Sequence, residues 1–273
     1  ALSEELKDAR SVSFGKAFQA KITMERGDLI YADENFTSAI DFYRNWSDKW
    51  ILPLILVWRG LLYEILGRRE LAEKDYEECL NLRDVRRLYH QCAAITGLTR
   101  IKHAQAKYAA IPSLLTEAEQ LAQQYEYNDH LASLRLTQGH IAWDGHIPEW
   151  GNGFDDALHY YQHTLIYALR YNRFLLDEVL SGRPQGTPLR PIIPHCLERG
   201  EEGIKMLTTL RDWWQTGTND IGTPRPDTIS PIPEGIPLLE AEHLARQREP
   251  GDGSPQKKVN EQIDAAISSH LPG

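Results

Sequence analysis

Apolar residues recur at helical spacing along most of the chain, and glycines interrupt this pattern at recurring places. Between Gly60 and Leu80 the apolar positions return every three to four residues on both sides of Gly67. This pattern predicts two short helices joined by a glycine turn. Because a glycine inside a helix costs about 0.5–1 kcal/mol relative to alanine, we expect the partner helix to pack closely against the backbone at Gly60.

The stretch that begins at Gly60 has three counterparts in the chain, and glycines set their register. The four copies begin at Gly27, Gly60, Gly97 and Gly139, with spacings of 33, 37 and 42 residues. Each copy then has a small or apolar residue, a second residue four positions later and a third residue three positions beyond that. Such offsets lie on one face of a second helix. The residues are Ala39, Tyr43 and Trp46; Ala72, Tyr76 and Cys79; Ile111, Leu115 and Ala118; and Ala157, Tyr161 and Thr164.

This repeated helical hairpin resembles the tetratricopeptide family, whose unit is about 34 residues long. The second copy matches the family pattern closely, through Gly60, Tyr63, Gly67, Ala72, Tyr76, Cys79 and Leu80. The resemblance covers roughly residues 12 to 180 and is specific in the first two copies. It implies an all-α fold, an α-α superhelix of tetratricopeptide-like helical hairpins with additional C-terminal helices.

Three segments follow from the pattern. Residues 1–180 form the repeat region of about four hairpins, and the last of these ends in one long helix over 157–180. Residues 181–217 contain a Gly- and Pro-rich loop and a closing amphipathic helix, and residues 218–273 contain a linker and two short helices. The pattern leaves open whether those last helices cap the stack or project from it.

In tetratricopeptide superhelices, positions −6, −3, +1 and +4 from each packing glycine lie beside the concave groove. The resemblance therefore implies a set of candidate ligand-binding residues: Met24, Asp28, Tyr31, Gln91, Leu98, Leu136, His140 and Trp143. In the second copy, the same offsets give Leu54, Val57, Leu61 and Glu64, which are nearly all apolar. A groove with an apolar centre and polar or aromatic ends suits a peptide or a helix. The open alternative is that the chain's own C-terminal segments cover the apolar stripe.

Charge and cysteine content limit the classes of binding partner and the cellular compartment that we expect for this chain. The 273-residue chain has a formal net charge of −9, and its Lys and Arg residues are scattered, which argues against a nucleic-acid partner. No apolar run approaches the roughly 20 residues that a membrane helix needs. Three cysteines, Cys79, Cys92 and Cys196, form no CxxC pair, and we therefore expect a reducing compartment, the cytoplasm.

Few residues have the spacing that a catalytic site or a metal site requires. His159 and His163 lie at i and i+4 on a predicted helix, a spacing that can hold a metal, but no third ligand is specified. Helical geometry points Cys92 away from His90 and Cys196 away from His195, and no phosphate-binding loop is present. We therefore expect no catalytic residue, no metal and no cofactor.

The leading hypothesis is a noncatalytic module that binds a protein or peptide segment in its groove. The degenerate repeats and the long helix at 157–180 also resemble the sensor regions of large bacterial signalling proteins with an upstream nucleotide-switch domain. Other domains of the same parent chain are therefore further candidate partners. A different hypothesis is a small-molecule-binding sensor or enzyme, with a pocket formed by His140, Trp143, Asp144 and the 145–153 loop.

Overall fold

The computed structural model of the protein describes residues 2–46, 50–82, 88–147, 151, 153–182, 189–216 and 255–270. Within these ranges every regular element is helical, as the sequence predicts. None of the described helices has the length and apolar character that a membrane crossing requires. The predicted linker and the first of the two predicted C-terminal helices lie outside the described residues.

The described chain divides into two compact units, and the first boundary along the sequence falls between His130 and Leu131. Each unit has its own hydrophobic core. The α-helices are α1 (Leu2–Glu25), α2 (Leu29–Arg44), α3 (Leu52–Ile65), α4 (Arg69–Asn81), α5 (Leu88–Ala104), α6 (Ile111–Gln124), α7 (Asn128–Asp144), α8 (Phe154–Tyr171), α9 (Arg173–Ser181), α10 (Ile192–Leu197), α11 (Gly200–Thr216) and α12 (Pro255–His270).

The first unit is built from three helix-turn-helix pairs. Helix α1 packs on α2, α3 on α4 and α5 on α6, and each pair also packs on the next. Pro53 and Pro112 lie in the first turns of α3 and α6, where the missing N–H has no intrahelical acceptor. The prolines therefore mark helix starts.

Glycines in the first helices of the pairs make room for tyrosine rings, which confirms the packing role predicted for Gly60. A Cβ atom at Gly60 would lie 2.4 Å from Cε1 of Tyr76, and one at Gly97 would lie 2.4 Å from Cε2 of the same ring. The Tyr76 ring therefore fits between the backbones of α3 and α5. In the second unit, Gly139 makes the same space for Tyr161.

The register predicted for the first copy is wrong. Gly27 lies in the turn between α1 and α2 at φ 89°, as Gly67 lies in the turn between α3 and α4 at φ 70°. Glycine is favoured in such turns because it adopts positive φ without strain. The first copy therefore matches the second at a spacing of 40 residues, which places the buried Ala20 at the position of Gly60.

The error in register is a shift of seven residues, which is nearly two turns of helix. Ala32 and Phe36 occupy the positions of Ala72 and Tyr76 in the corrected register, whereas the sequence pattern assigned them to Ala39 and Tyr43. Seven residues are nearly two turns, so both pairs lie on one face of α2, and both are fully buried. The hydrophobic pattern alone does not distinguish them.

A buried ion pair holds α3 against its neighbours. Arg59 donates from Nε to Asp75 Oδ2 at 2.8 Å and from Nη2 to Asp75 Oδ1 at 2.7 Å. Its Nη1 also donates to Thr37 Oγ1 at 3.1 Å. The guanidinium of α3 thus binds both α4 and α2; its two bonds to Asp75 are buried, and its bond to Thr37 is partly buried.

A second ion pair connects consecutive helix pairs. Arg100 of α5 donates from Nη2 to Glu64 Oε1 of α3 at 2.7 Å and from Nε to Glu64 Oε2 at 3.0 Å. The Tyr76 hydroxyl donates to the same carboxylate at 2.6 Å. The charge of Arg100 is therefore paired with that of Glu64.

In the second unit, the predicted long helix at 157–180 is two helices. Helix α8 ends at Tyr171, and the side chain of Asn172 accepts a hydrogen bond from the Leu175 backbone N–H at 2.8 Å. Asparagine is a preferred N-cap because its oxygen satisfies a backbone donor of the first helical turn. Asn172 therefore starts α9 as a separate helix.

The last helix, α12, docks on the second unit. Its Val259 and Ile263 side chains are buried in the core of that unit, and α12 contacts α9, α10 and α11. Arg211 of α11 donates to Asp264 of α12 at 2.8 Å. Of the two arrangements that the sequence leaves open for this helix, the structure has the docked one.

Candidate functional site

Several of the predicted binding residues in the first unit are not on its surface. Met24 and Leu98 are buried in the core, and Gln91 is partly buried. Asp28 is exposed, and its carboxylate caps α2 by accepting a hydrogen bond from the Tyr31 backbone N–H at 3.2 Å. The expectation of an open position is therefore wrong for Met24 and Leu98, and a binding role for Asp28, Tyr31 and Gln91 stays a prediction.

The predicted residues of the fourth copy lie in the core of the second unit, where α10 covers them. The ring of His195 lies 4.3 Å from that of His140 and 5.4 Å from that of Trp143, measured between centroids. Leu136 belongs to the same core. The expectation that these side chains face an open groove is therefore wrong, because a later segment of the chain occupies that space.

Of the residues that the small-molecule hypothesis names, His140 and Trp143 both contact His195, whereas residues 148–150 and 152 of the predicted 145–153 loop lie outside the described residues. The guanidinium of Arg199 lies 4.5 Å from the centroid of Trp143 and pairs with the Asp144 carboxylate. Trp143 Nε1 and the Tyr161 hydroxyl are buried and make no hydrogen bond with the described residues. Burial raises the pKa of the Tyr161 hydroxyl and of the Cys196 thiol well above their ordinary values, so both are protonated at neutral pH. The cluster is closed and holds no activated nucleophile among these groups.

The predicted histidine pair lies on one side of α8. The rings of His159 and His163 are 4.5 Å apart between centroids. Among the residues that the structure describes, no three His, Cys, Asp or Glu side chains are grouped so that they could hold a metal ion. Partial burial lowers the pKa of His163 to about 4, and His159 contributes to this shift.

The lowered pKa predicts a pH-dependent stability. The unfolded chain takes up a proton at His163 near pH 6.5, whereas the folded chain stays neutral there until about pH 4. A stabilising contribution present above pH 6.5 is therefore lost as the pH falls from 6.5 to about 4. We expect His163→Gln to reduce the stability loss between about pH 7 and pH 5 in urea unfolding. His270→Gln changes an exposed histidine and should keep the parental pH dependence; an unchanged dependence in His163→Gln would contradict the assignment.

An exposed surface of Phe and Trp side chains, which the sequence did not reveal, lies on α1, on α3 and on the turn before α3. We call Phe14, Phe18, Trp50 and Trp58 the aromatic face. Phe14, Phe18 and Trp50 are 37%, 39% and 43% exposed, and Trp58 is partly buried. Ring centroids lie 4.6 Å apart for Phe14 and Phe18, 6.2 Å for Phe14 and Trp50, and 5.1 Å for Phe18 and Trp58. The four rings therefore form one continuous surface.

The wrong register of the first copy concealed this surface. At the corrected spacing of 40 residues, Phe14 is equivalent to Leu54, and Phe18 is equivalent to Trp58. Phe14 is then at position −6 from Ala20, the offset that identified Leu54 in the second copy. A search for a large apolar pair at i and i+4, with an aromatic residue at i+4, that recurs 40 residues later could have found Phe14 and Phe18 together with Leu54 and Trp58.

Polar and apolar groups surround the aromatic face. Val12 and Ile22 of α1 are exposed. The guanidinium of Arg10, in α1, lies 5.9 Å from the Trp50 ring centroid at one end of the aromatic face. At the other end, Lys21 forms a 2.9 Å ion pair with Glu25. This arrangement offers a ligand an apolar surface with charged side chains at its ends.

Comparison of the chain with protein-family models, with curated proteins and with solved structures gives no match. The surfaces described above are therefore the basis for a functional assignment. Of these surfaces, the cluster around Trp143 is closed by α10, whereas the aromatic face is exposed.

Proposed function

We propose that the protein is a noncatalytic protein-interaction module, built from tetratricopeptide-like hairpins stacked as an α-α superhelix. It binds a protein or peptide segment on the surface formed by the first helices of successive hairpins. The observation that supports this best is the aromatic face. Soluble proteins rarely expose contiguous large apolar groups, and aromatic side chains contribute disproportionately to binding free energy.

The repeat architecture is supported by a shared packing device. Gly60 and Gly97 both contact the Tyr76 ring, and Gly139 contacts Tyr161 in the same way. In each case a glycine in the first helix of a hairpin meets a large residue of a second helix, which is the arrangement that the family resemblance implies. The same turn glycine also recurs at Gly27 and Gly67.

We further propose that the module is cytoplasmic and works as the sensor or scaffold part of a larger bacterial signalling protein. This part of the proposal rests on the family resemblance of the repeats. Other domains of the parent chain are then binding partners alongside separate proteins. The closed state of the cluster around Trp143 favours this reading over the small-molecule hypothesis.

A photo-crosslinking experiment tests the proposed surface. A photoreactive amino acid at Phe18 should capture a defined partner from cell extract, and the same group at Ile30, which is exposed on α2 and is not part of the aromatic face, should not. Once the partner is identified, Phe18→Ala with Trp50→Ala should weaken its binding at least tenfold, about 1.4 kcal/mol. Ile30→Ala should bind as the parent chain does. Equal affinity of the Phe18/Trp50 variant and the parent, with unchanged circular dichroism, would contradict the proposed surface.

A further inference from the structure

We propose that His159 and His163 of α8 form a binding site for a divalent transition metal ion that prefers imidazole nitrogen, with Cu²⁺ bound most tightly. The site is separate from the aromatic face, so the proposal does not depend on the proposed function. The two residues are at i and i+4 on α8, and their ring centroids are 4.5 Å apart. His159 is exposed and His163 is partly buried, so an ion can reach the pair from solvent.

The separation of the two rings fits the coordination of one ion by both. An imidazole nitrogen binds such ions at about 2.0–2.1 Å and lies about 1.1 Å from the centroid of its own ring. Two imidazoles that bind one ion at a right angle therefore have centroids about 4.5 Å apart, whereas the tetrahedral angle gives about 5.1 Å. The 4.5 Å separation in α8 matches the right angle. Tetragonal Cu²⁺ has that angle, whereas four-coordinate Zn²⁺ is tetrahedral.

Protons do not compete with a metal for this pair at neutral pH. Burial is the main cause that lowers the pKa of His159, and it lowers the pKa of His163 to about 4. Both rings are therefore neutral at pH 7, which is the form that binds metals. Neither imidazole is hydrogen-bonded to another described residue, so no such bond has to break when an ion binds.

The charges around the pair act in both directions. Asp156, three residues before His159, raises the pKa of that imidazole and attracts a cation. Arg135 and Arg170 lower the pKa of His163 and repel a cation. The binding free energy must therefore come mainly from the two metal–nitrogen bonds. Among divalent first-row ions, Cu²⁺ binds nitrogen ligands most strongly.

The pair supplies only part of a coordination shell. Among the described residues, no three His, Cys, Asp or Glu side chains are grouped around one ion, and the lack of a third ligand is the reason that the sequence predicts no metal. A structural ion needs four protein ligands, whereas an exchangeable ion on an exposed helix needs fewer, because water fills the other positions. Those positions are also open to a donor atom from a second molecule.

Copper titration of the untagged full chain tests the proposal. By isothermal titration calorimetry at about pH 7.5, with glycine as a competing chelator, we expect one ion per chain with a Kd of about 10 μM or tighter. Electron paramagnetic resonance of the complex should show two imidazole nitrogens bound to the copper. Ni²⁺ and Zn²⁺ should bind at least tenfold more weakly, in the order of their general affinity for nitrogen ligands.

Variants with a matched number of histidines make the test specific. His159→Ala with His163→Ala should abolish this binding, and His159→Ala alone should weaken it at least tenfold. His159→Ala with Asp155→His keeps two histidines on α8 but separates them by eight residues, about 12 Å, so it should bind as weakly as His159→Ala alone. His270→Gln removes an exposed histidine of α12 and should leave the affinity unchanged.

The pH dependence of copper binding gives a second measurement. Between about pH 7.5 and pH 6, two histidines with an ordinary pKa of about 6.5 lose about 14-fold in affinity, because both must release a proton to bind the ion. The pKa of His163 is about 4 and that of His159 is also lowered, so this pair should lose less than about fourfold. Correction for the pH dependence of the glycine complex precedes the comparison.

Two results would overturn the proposal. One is unchanged copper binding in the double alanine variant or in the variant that contains Asp155→His. The other is a resonance spectrum with fewer than two imidazole nitrogens. If circular dichroism shows that the double variant does not fold, His159→Ala alone decides, because that side chain is exposed. Either result leaves the proposed function standing, since no residue of the aromatic face takes part.

Discussion

Asp75→Ala is expected to lower the free energy of unfolding by about 3–5 kcal/mol, as measured by urea unfolding followed by circular dichroism. The side chains of Arg59 and Asp75 are only 9% and 4% exposed, and two hydrogen bonds join them. Removal of the carboxylate leaves a buried guanidinium without its counter-charge. Alanine is the best helix former, so the loss cannot come from the helix propensity of α4.

Two further variants test whether the loss of stability comes from the buried charge. Glu261→Ala removes one partner of an exposed pair with Lys257, which is 3.8 Å away, and should change stability by no more than about 0.5 kcal/mol. Arg59→Met together with Asp75→Leu should recover most of the loss, because a buried apolar pair needs no counter-charge. A loss from Asp75→Ala as small as that from Glu261→Ala would contradict the burial of the pair.

Gly60→Leu is expected to lower the free energy of unfolding by about 1–3 kcal/mol or more, although leucine favours helix more than glycine does. A Cβ atom at this position would lie 2.4 Å from Cε1 and 2.7 Å from Cζ of Tyr76. The Tyr76 ring cannot move away, because the backbone at Gly97 packs equally closely against its other edge. Thermal unfolding followed by circular dichroism measures the effect.

Gly15→Ala is the matched control for this substitution. Gly15 also lies inside a helix, α1, and no heavy atom outside its surroundings in the helix is within 4 Å of a Cβ built there. Without an opposing contact, alanine should stabilise the protein by about 0.5–1 kcal/mol. A higher melting temperature for Gly60→Leu would mean that the packing face of α3 is wrongly assigned.

The sequence predicted those parts of the fold that local patterns determine. Helical periodicity gave the all-helical class, and the glycine inside α3 correctly predicted close packing at Gly60. The register of the first copy was not recoverable from periodicity, because a shift of seven residues keeps nearly the same helix face. The helix boundary at Asn172 depends on a single capping side chain, which a periodic apolar pattern does not reveal.

The candidate site was less predictable, because exposure depends on distant segments. His140 and Trp143 have the spacing of groove residues, but α10, about 50 residues later in the chain, covers them. The two helices of the aromatic face are likewise separate in sequence, and only their packing brings Phe18 and Trp58 together. The spacing of residues along one helix gives the direction in which their side chains point, but it does not show which segment of the chain packs against them.

The position of Tyr76 between two hairpins has a consequence for the order of events on the ribosome. When α3 and α4 have emerged, one edge of the Tyr76 ring has its glycine neighbour, while the other edge still lacks Gly97. The carboxylate of Glu64 likewise lacks the guanidinium of Arg100 until α5 emerges. The hairpin of α3 and α4 thus remains incomplete until α5 has been synthesised, and this part of the native core forms one hairpin behind translation.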